Sequence, residues 1–88
     1  MATCTVTIPN EEGLHARPAA KFVKVANGFS SNILVQKDDE EINGKSIMGL
    51  MILAAAKGEV ITITAEGKDE AAALKRLSQL VSSGFSTD

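Results

Sequence analysis

The residues best placed to do chemistry lie in Gly13-Leu14-His15-Ala16-Arg17-Pro18-Ala19, which holds the sole histidine of the chain. Imidazole is a good nucleophile toward phosphorus near neutral pH, because much of it is unprotonated there. A phosphorylated ring then carries extra negative charge that must be stabilised. Arg17, two residues on, can bring a guanidinium whose planar donors match phosphate oxygens. A helix that begins at or beside His15 would add the free N–H groups and partial positive charge of its first turn. That positive end favours the uncharged, nucleophilic ring, whereas Glu11 and Glu12 push the other way if they come close. Spacing alone leaves that balance open. It also leaves open the plainer possibility that His15 is an ordinary polar residue at a helix start.

Ser46 is the second residue of interest. It precedes the apolar run Ile47–Ala56 and is suited to capping a helix there. Phosphate on Ser46 would sit at the positive end of that helix, so modification need not unfold it. Gly44-Lys45-Ser46 also matches the tail of a phosphate-binding P-loop, but that motif needs a glycine where Asp39 stands. The chain is too short for a nucleotide-hydrolysing domain in any case. Cys4 stands alone and cannot form an internal disulfide. With one His and one Cys there is no cluster of metal ligands, and neither a metal nor another cofactor is expected.

The elements that must position these residues follow from periodicity. Cys4, Val6 and Ile8 alternate with threonines, which predicts a half-buried strand over Thr3–Ile8 with Cys4 as a small core residue. A helix is expected from Ala16 to Asn27, with Ala19, Phe22, Val23 and Ala26 on one face and Pro18 tolerated in its first turn. Asn27-Gly28 is its stop signal. Asn32–Lys37 reads as a second strand, the acidic run Asp38–Glu41 as a solvated hairpin turn, and Glu41–Asn43 as a short third strand. A second helix is expected from Ile47 to near Lys57-Gly58, then a fourth strand over Glu59–Glu66. Asp69 is placed to cap a last helix that buries Ala73, Leu74, Leu77, Leu80 and Val81, with Gly84 past its end. The order β-α-β-β-α-β-α predicts an α+β fold, a four-stranded, mainly antiparallel sheet with three helices on one face.

Composition sets limits on function. The 88 residues suffice for one domain, spanning 1–88, with one modest core and a surface site. A formal net charge of −2 and three aromatic residues, all Phe, argue against a nucleic-acid partner. The longest apolar run is about half a membrane span, which needs about 20 residues, so no membrane insertion is expected. No signal peptide is visible at Met1-Ala2-Thr3-Cys4, which fits a cytoplasmic location. No feature suggests an oligomer, and a monomer is expected. The second helix is apolar almost all round. In so small a domain Met48 and Met51 are the pair expected to stay exposed, as an adaptable partner surface together with Ile47.

Gly-Leu-His-Ala-Arg-Pro-Ala at 13–19 resembles the active-histidine signature of the HPr family, phosphocarriers of the bacterial phosphoenolpyruvate-dependent sugar phosphotransferase system. Asn43-Gly44-Lys45-Ser46-Ile47-Met48-Gly49-Leu50-Met51 is similar to the family's regulatory-serine segment. A third similar block is Ala56-Lys57-Gly58 followed by Ile61-Thr62-Ile63, so the resemblance spans nearly the whole chain. It implies an open-faced β-sandwich and phosphorylation of His15 on Nδ1 by enzyme I, with phosphoenolpyruvate as the ultimate donor. Arg17 and the first-turn amides, that of Ala16 included, would hold the phosphoryl group, and a histidine of an EIIA protein or domain would accept it. The second helix and the histidine loop would form the docking face. Such a carrier is not a self-sufficient enzyme, because its partners supply most of the positioning.

The resemblance also implies possible phosphorylation of Ser46 by an HPr kinase/phosphorylase. That modification would impede transfer to His15 and recruit a catabolite-control transcription factor. A regulatory module acting through Ser46 alone is the competing class. Ser83-Gly84-Phe85-Ser86-Thr87-Asp88 is faintly similar to the nitrogen-type branch, NPr.

Overall fold

A computed structural model describes residues 1–86 of the chain. The strands are β1 (Ala2–Thr7), β2 (Asn32–Lys37), β3 (Glu40–Asn43) and β4 (Val60–Glu66). The helices are α1 (Ala16–Ala26), α2 (Ile47–Leu53) and α3 (Glu70–Ser82). They follow in the expected β-α-β-β-α-β-α order, and the sheet order is β1-β4-β2-β3. Each of the three ladders is antiparallel.

Register makes the sheet one-sided. Cys4 and Val35 both pair with Ile63, Val6 pairs with Ile61, and Ile33 pairs with Ala65. Side chains alternate along a strand, so these residues share one face. Helices α2 and α3 pack on that face, α3 under β1 and β4 and α2 under β3 and β2, while α1 packs against both. Phe22, Leu50, Leu53, Leu77 and Leu80 fill the space between, each fully buried. Burying such a side chain is worth about 1.5–3 kcal/mol. The opposite face, with Thr3, Thr5, Leu34 and Gln36, is open to solvent. This is an α+β open-faced sandwich.

Several boundaries differ from expectation, each for a local reason. β1 stops at Thr7, yet Ile8 stays fully buried, exchanging backbone bonds with the turn at Gly58 and Glu59 (2.8 and 2.9 Å). β3 begins at Glu40, because Asp38 adopts a positive φ of 55° and closes the hairpin with Asp39. α1 ends at Ala26, with Asn27 as its cap, and β4 starts at Val60. The largest departure is α2, which ends at Leu53 rather than near Lys57-Gly58. Ala54 turns left-handed there (φ 52°, ψ 42°), and its N–H bonds back to the Leu50 carbonyl. The positive φ of Gly58 serves the turn into β4 instead.

Asp69 holds the cap position of α3 but makes no capping bond. Its carboxylate reaches across to the loop before β2. There it accepts from the N–H groups of Ser30 and Ser31 at 2.9 and 3.0 Å and from the hydroxyl of the buried Ser31. Glu70 takes over near the helix start, accepting from the Gly67 N–H at 3.1 Å. At the far end of α3, the Gly84 and Phe85 N–H groups bond to the Val81 and Leu80 carbonyls, a Schellman turn that buries Phe85. Thr87 and Asp88, the last two residues of the terminal segment compared with the NPr branch, lie outside the described residues. Among the described residues, no helix is long and apolar enough to cross a membrane.

Candidate functional site

His15 is the N-cap residue of α1, in extended conformation (φ −76°, ψ −178°). Its carbonyl accepts the Ala19 N–H at 2.9 Å, while its side chain makes no capping bond. The ring is therefore exposed and uncommitted at the positive end of an amphipathic helix. Pro18, at the third helical position, has no N–H to offer. The free donors of the first turn are thus the Ala16 and Arg17 amides, which have no backbone acceptor among the described residues. His15, Ala16 and Arg17 are all exposed, and Pro18 and Ala19 anchor the turn in the core.

The loop in front of His15 is fastened to the segment after α2. The Leu14 N–H donates to the Ala55 carbonyl at 2.9 Å, and the Leu14 side chain is buried. Gly13 has φ of 63° and lies so close to the Ala55 carbonyl that a Cβ there would collide with it. The Asn10 side-chain amide donates to the Gly13 carbonyl at 3.0 Å. Glu11 forms an ion pair with Lys57 across the two loops at 2.6 Å. The hydrogen bond and charge of Lys57 hold the Glu11 carboxyl below the usual range.

Two shallow depressions flank the histidine. One, of about 200 Å³, is lined by His15, Glu12, Leu14, Met51 and Ala54–Ala56. The other, of about 210 Å³, is lined by Glu12, Arg17, Pro18, Lys21, Gly84 and Phe85. Lys21 Nζ donates to the Phe85 carbonyl at 2.8 Å and so ties the end of α3 to α1.

Ser46 caps α2 as expected, its Oγ accepting the Gly49 N–H at 3.0 Å. It lies at the opposite end of α2 from Ala54, about 10 Å along a seven-residue helix, and does not line the histidine depression. Leu50 and Leu53 point into the core, while Ile47, Met48, Met51 and Ile52 face solvent. Met48 is 73% exposed and Met51 45%, and Met51 joins this apolar surface to the rim around His15.

His15 and Met51 thus line one depression and Arg17 the other, with Ala16 between His15 and Arg17 in the chain and Met48 and Ile47 on the same helix as Met51. Periodicity and motif spacing do not assign Ile52, Lys21 or Ala54–Ala56 to the site. Lys21 was within reach, since it stands four residues after Arg17 on one helical face. The Ala54–Ala56 border was not, because it depends on where α2 ends. Among the described residues there is no group of three or more side chains able to hold a metal.

A family model described as "PTS HPr component phosphorylation site" matches residues 2–83. The chain is 49% identical over 81 residues to the phosphocarrier protein HPr of Neisseria meningitidis serogroup A, covering 92% of this chain and 91% of that protein. It is 47% identical over 76 residues to the HPr-like protein Crh of Bacillus subtilis, covering 86% and 89% of the two chains. The crystal structure of HPr-C-His from Thermoanaerobacter tengcongensis superposes with a TM-score of 0.95 at 49% identity, covering 100% of this chain and 99% of that one. A match of this extent, over a histidine segment with this geometry, means that the chain belongs to the HPr family of phosphotransferase-system phosphocarriers.

Proposed function

We propose that His15 is the phosphoryl-accepting residue of a carrier domain spanning 1–88. It takes the group from phosphorylated enzyme I and passes it to an EIIA protein or domain. The observation that carries this reading is the exposed, unbonded imidazole at the start of α1, beside the free Ala16 and Arg17 amides. In the forward step the Nδ1 lone pair attacks phosphorus. The bond from phosphorus to the donor breaks, and its electron pair stays on the donor. The Ala16 and Arg17 N–H groups and the Arg17 guanidinium then face a phosphoryl group that carries most of its charge on oxygens. In the second step the Nδ1–P bond breaks as the acceptor nitrogen bonds phosphorus, and the ring recovers its lone pair. Little covalent chemistry is asked of the protein, so positioning by the two partners supplies most of the catalysis.

Docking on enzyme I and EIIA is assigned to the α2 surface of Ile47, Met48 and Met51, which runs on to the histidine rim. The carrier works as a cytoplasmic monomer without cofactor, which light scattering of the purified chain checks. Intact mass after incubation with phosphoenolpyruvate and enzyme I tests the central step. One acid-labile phosphoryl group is expected on the parent chain and none on His15→Ala. Equal labelling of both would remove His15 from the reaction. Supplying enzyme I and EIIA from the sugar and the nitrogen systems in parallel separates an HPr-type carrier from an NPr-type one.

A second, regulatory reading has its own support. Ser46 caps a helix whose exposed side is apolar, and phosphate there would place charge on the edge of the docking face. An HPr kinase/phosphorylase would be the modifying partner and a catabolite-control transcription factor the recruited one. Ser46→Asp is expected to slow phosphoryl acceptance by His15 several-fold relative to Ser46→Ala. Equal rates for the two variants would count against regulation at this site.

A further inference from the structure

Glu11 and Glu12 are neighbours in sequence, yet the fold gives them different electrostatic roles. Glu11 is neutralised by Lys57 at 2.6 Å. Glu12 forms no ion pair among the described residues and is exposed. It lines both the depression that holds His15 and the one that holds Arg17 and Lys21. The anionic side chain of this loop that borders the site is therefore Glu12.

We infer that the Glu12 carboxylate opposes the phosphoryl group on His15 and thereby raises its tendency to leave. The inference rests on His15 being the carrier residue. Arg17 and the first-turn amides attract phosphoryl oxygens, and without a counterweight they would favour the loaded state. A carrier is useful only if it also unloads, and stabilisation confined to the loaded state would turn it into a trap. Glu12 supplies the counterweight. When phosphorylated chain and free enzyme I exchange the group, the His15 Nδ1–P bond breaks with its electron pair left on the ring. A bond from phosphorus to the enzyme I nucleophile forms, and the repulsion from Glu12 is relieved. Charges of about −1 and −2 separated by about 8 Å in water shift such an equilibrium about fivefold. A surface effect of this kind largely disappears at about 1 M salt, where screening extends only about 3 Å.

The test is the equilibrium of phosphoryl exchange between enzyme I and the chain, read by intact mass for the parent, Glu12→Gln and Glu12→Asp. Glu12→Gln is expected to move the equilibrium about fivefold toward phosphorylated chain in low-salt buffer and less than about twofold at 1 M salt. Glu12→Asp, which keeps the charge, should stay near the parent. A Glu12→Gln shift below twofold at low salt would overturn the inference. So would a shift that persists at high salt, or one that Glu12→Asp shares, since either points to shape rather than charge. An altered exchange rate with an unchanged equilibrium would assign Glu12 to docking and also overturn it. If the parent takes no phosphoryl group at all, the carrier reading fails as well. If the parent is loaded normally and Glu12→Gln matches it, only the role of Glu12 fails.

Discussion

Ala54 ends α2 in a conformation that suits glycine better than alanine. Its φ of 52° and ψ of 42° bring Cβ toward the following carbonyl, a cost of about 1–2 kcal/mol for an ordinary residue. The strain persists because the Leu50 carbonyl bonds to Ala54 and the next residue, Ala55, accepts from Leu14. Ala54→Gly should therefore raise stability by about 0.5–1 kcal/mol, after allowing for the greater freedom of glycine in the unfolded chain. Urea unfolding would show this as a higher midpoint at unchanged slope. A lower midpoint would mean that the Ala54 methyl contributes packing that outweighs the strain. The placement of His15, Arg17 and Ser46 at helix starts was legible from the sequence, because their neighbours, Pro18 and the apolar run after Ser46, mark such starts. The different fates of Glu11 and Glu12 were not, because the partner that decides them, Lys57, joins only through the tertiary fold.

Between elements, the contact that matters most to the site is the seam where the β1–α1 loop meets the α2–β4 loop. Gly13 is its closest point, and its positive φ and the adjoining Ala55 carbonyl both exclude a side chain. Gly13→Ala should cost about 2 kcal/mol or more and move His15 relative to the exposed apolar side of α2. The checks are thermal unfolding and the rate of phosphoryl acceptance from enzyme I, both expected to worsen. Full activity in a normally stable variant would show that the seam does not position the histidine. The same seam explains why the end of α2 was misjudged. Lys57-Gly58 is a genuine turn signal, but Gly58 bonds to Ile8 and shapes the entry to β4, while the helix is already closed by a residue type that carries no such signal.

Across the whole molecule, Asp69 links the start of α3 to the loop between α1 and β2. Its hydroxyl and amide donors from Ser31 and Ser30 hold the carboxyl below its ordinary value of 3.8. Glu59 and Glu70 are lowered too, chiefly by the backbone N–H groups of Ala56 and Gly67. A carboxyl with a depressed native pKa binds its proton more readily when unfolded. The stability these groups add is therefore complete above the ordinary carboxylate range and lost as pH falls through the lowered native values. The parent should lose stability as pH falls below about 5, and Asp69→Asn should be less stable at neutral pH with a shallower acid decline. Denaturant midpoints across that range check this, and parallel curves for the two proteins would rule out Asp69 as a source. Periodicity gave the strands and their inner faces, but not their order. Nothing local to β1 says that β4, rather than the nearer β2, lies beside it.

That neighbour relation has a consequence for how the protein is made. Ala2 pairs with Ala65 and Thr7 with Val60, so β1 leaves the ribosome well before the strand it pairs with. At about 5–20 residues per second it waits for several seconds with its backbone unpaired. A β1 left waiting while neighbouring chains complete their own β4 can join the wrong molecule. Rapid synthesis of the stretch between β1 and β4 thus protects the assembly of the sheet, and ribosome stalling before β4 is where exchange of strands between nascent chains should begin.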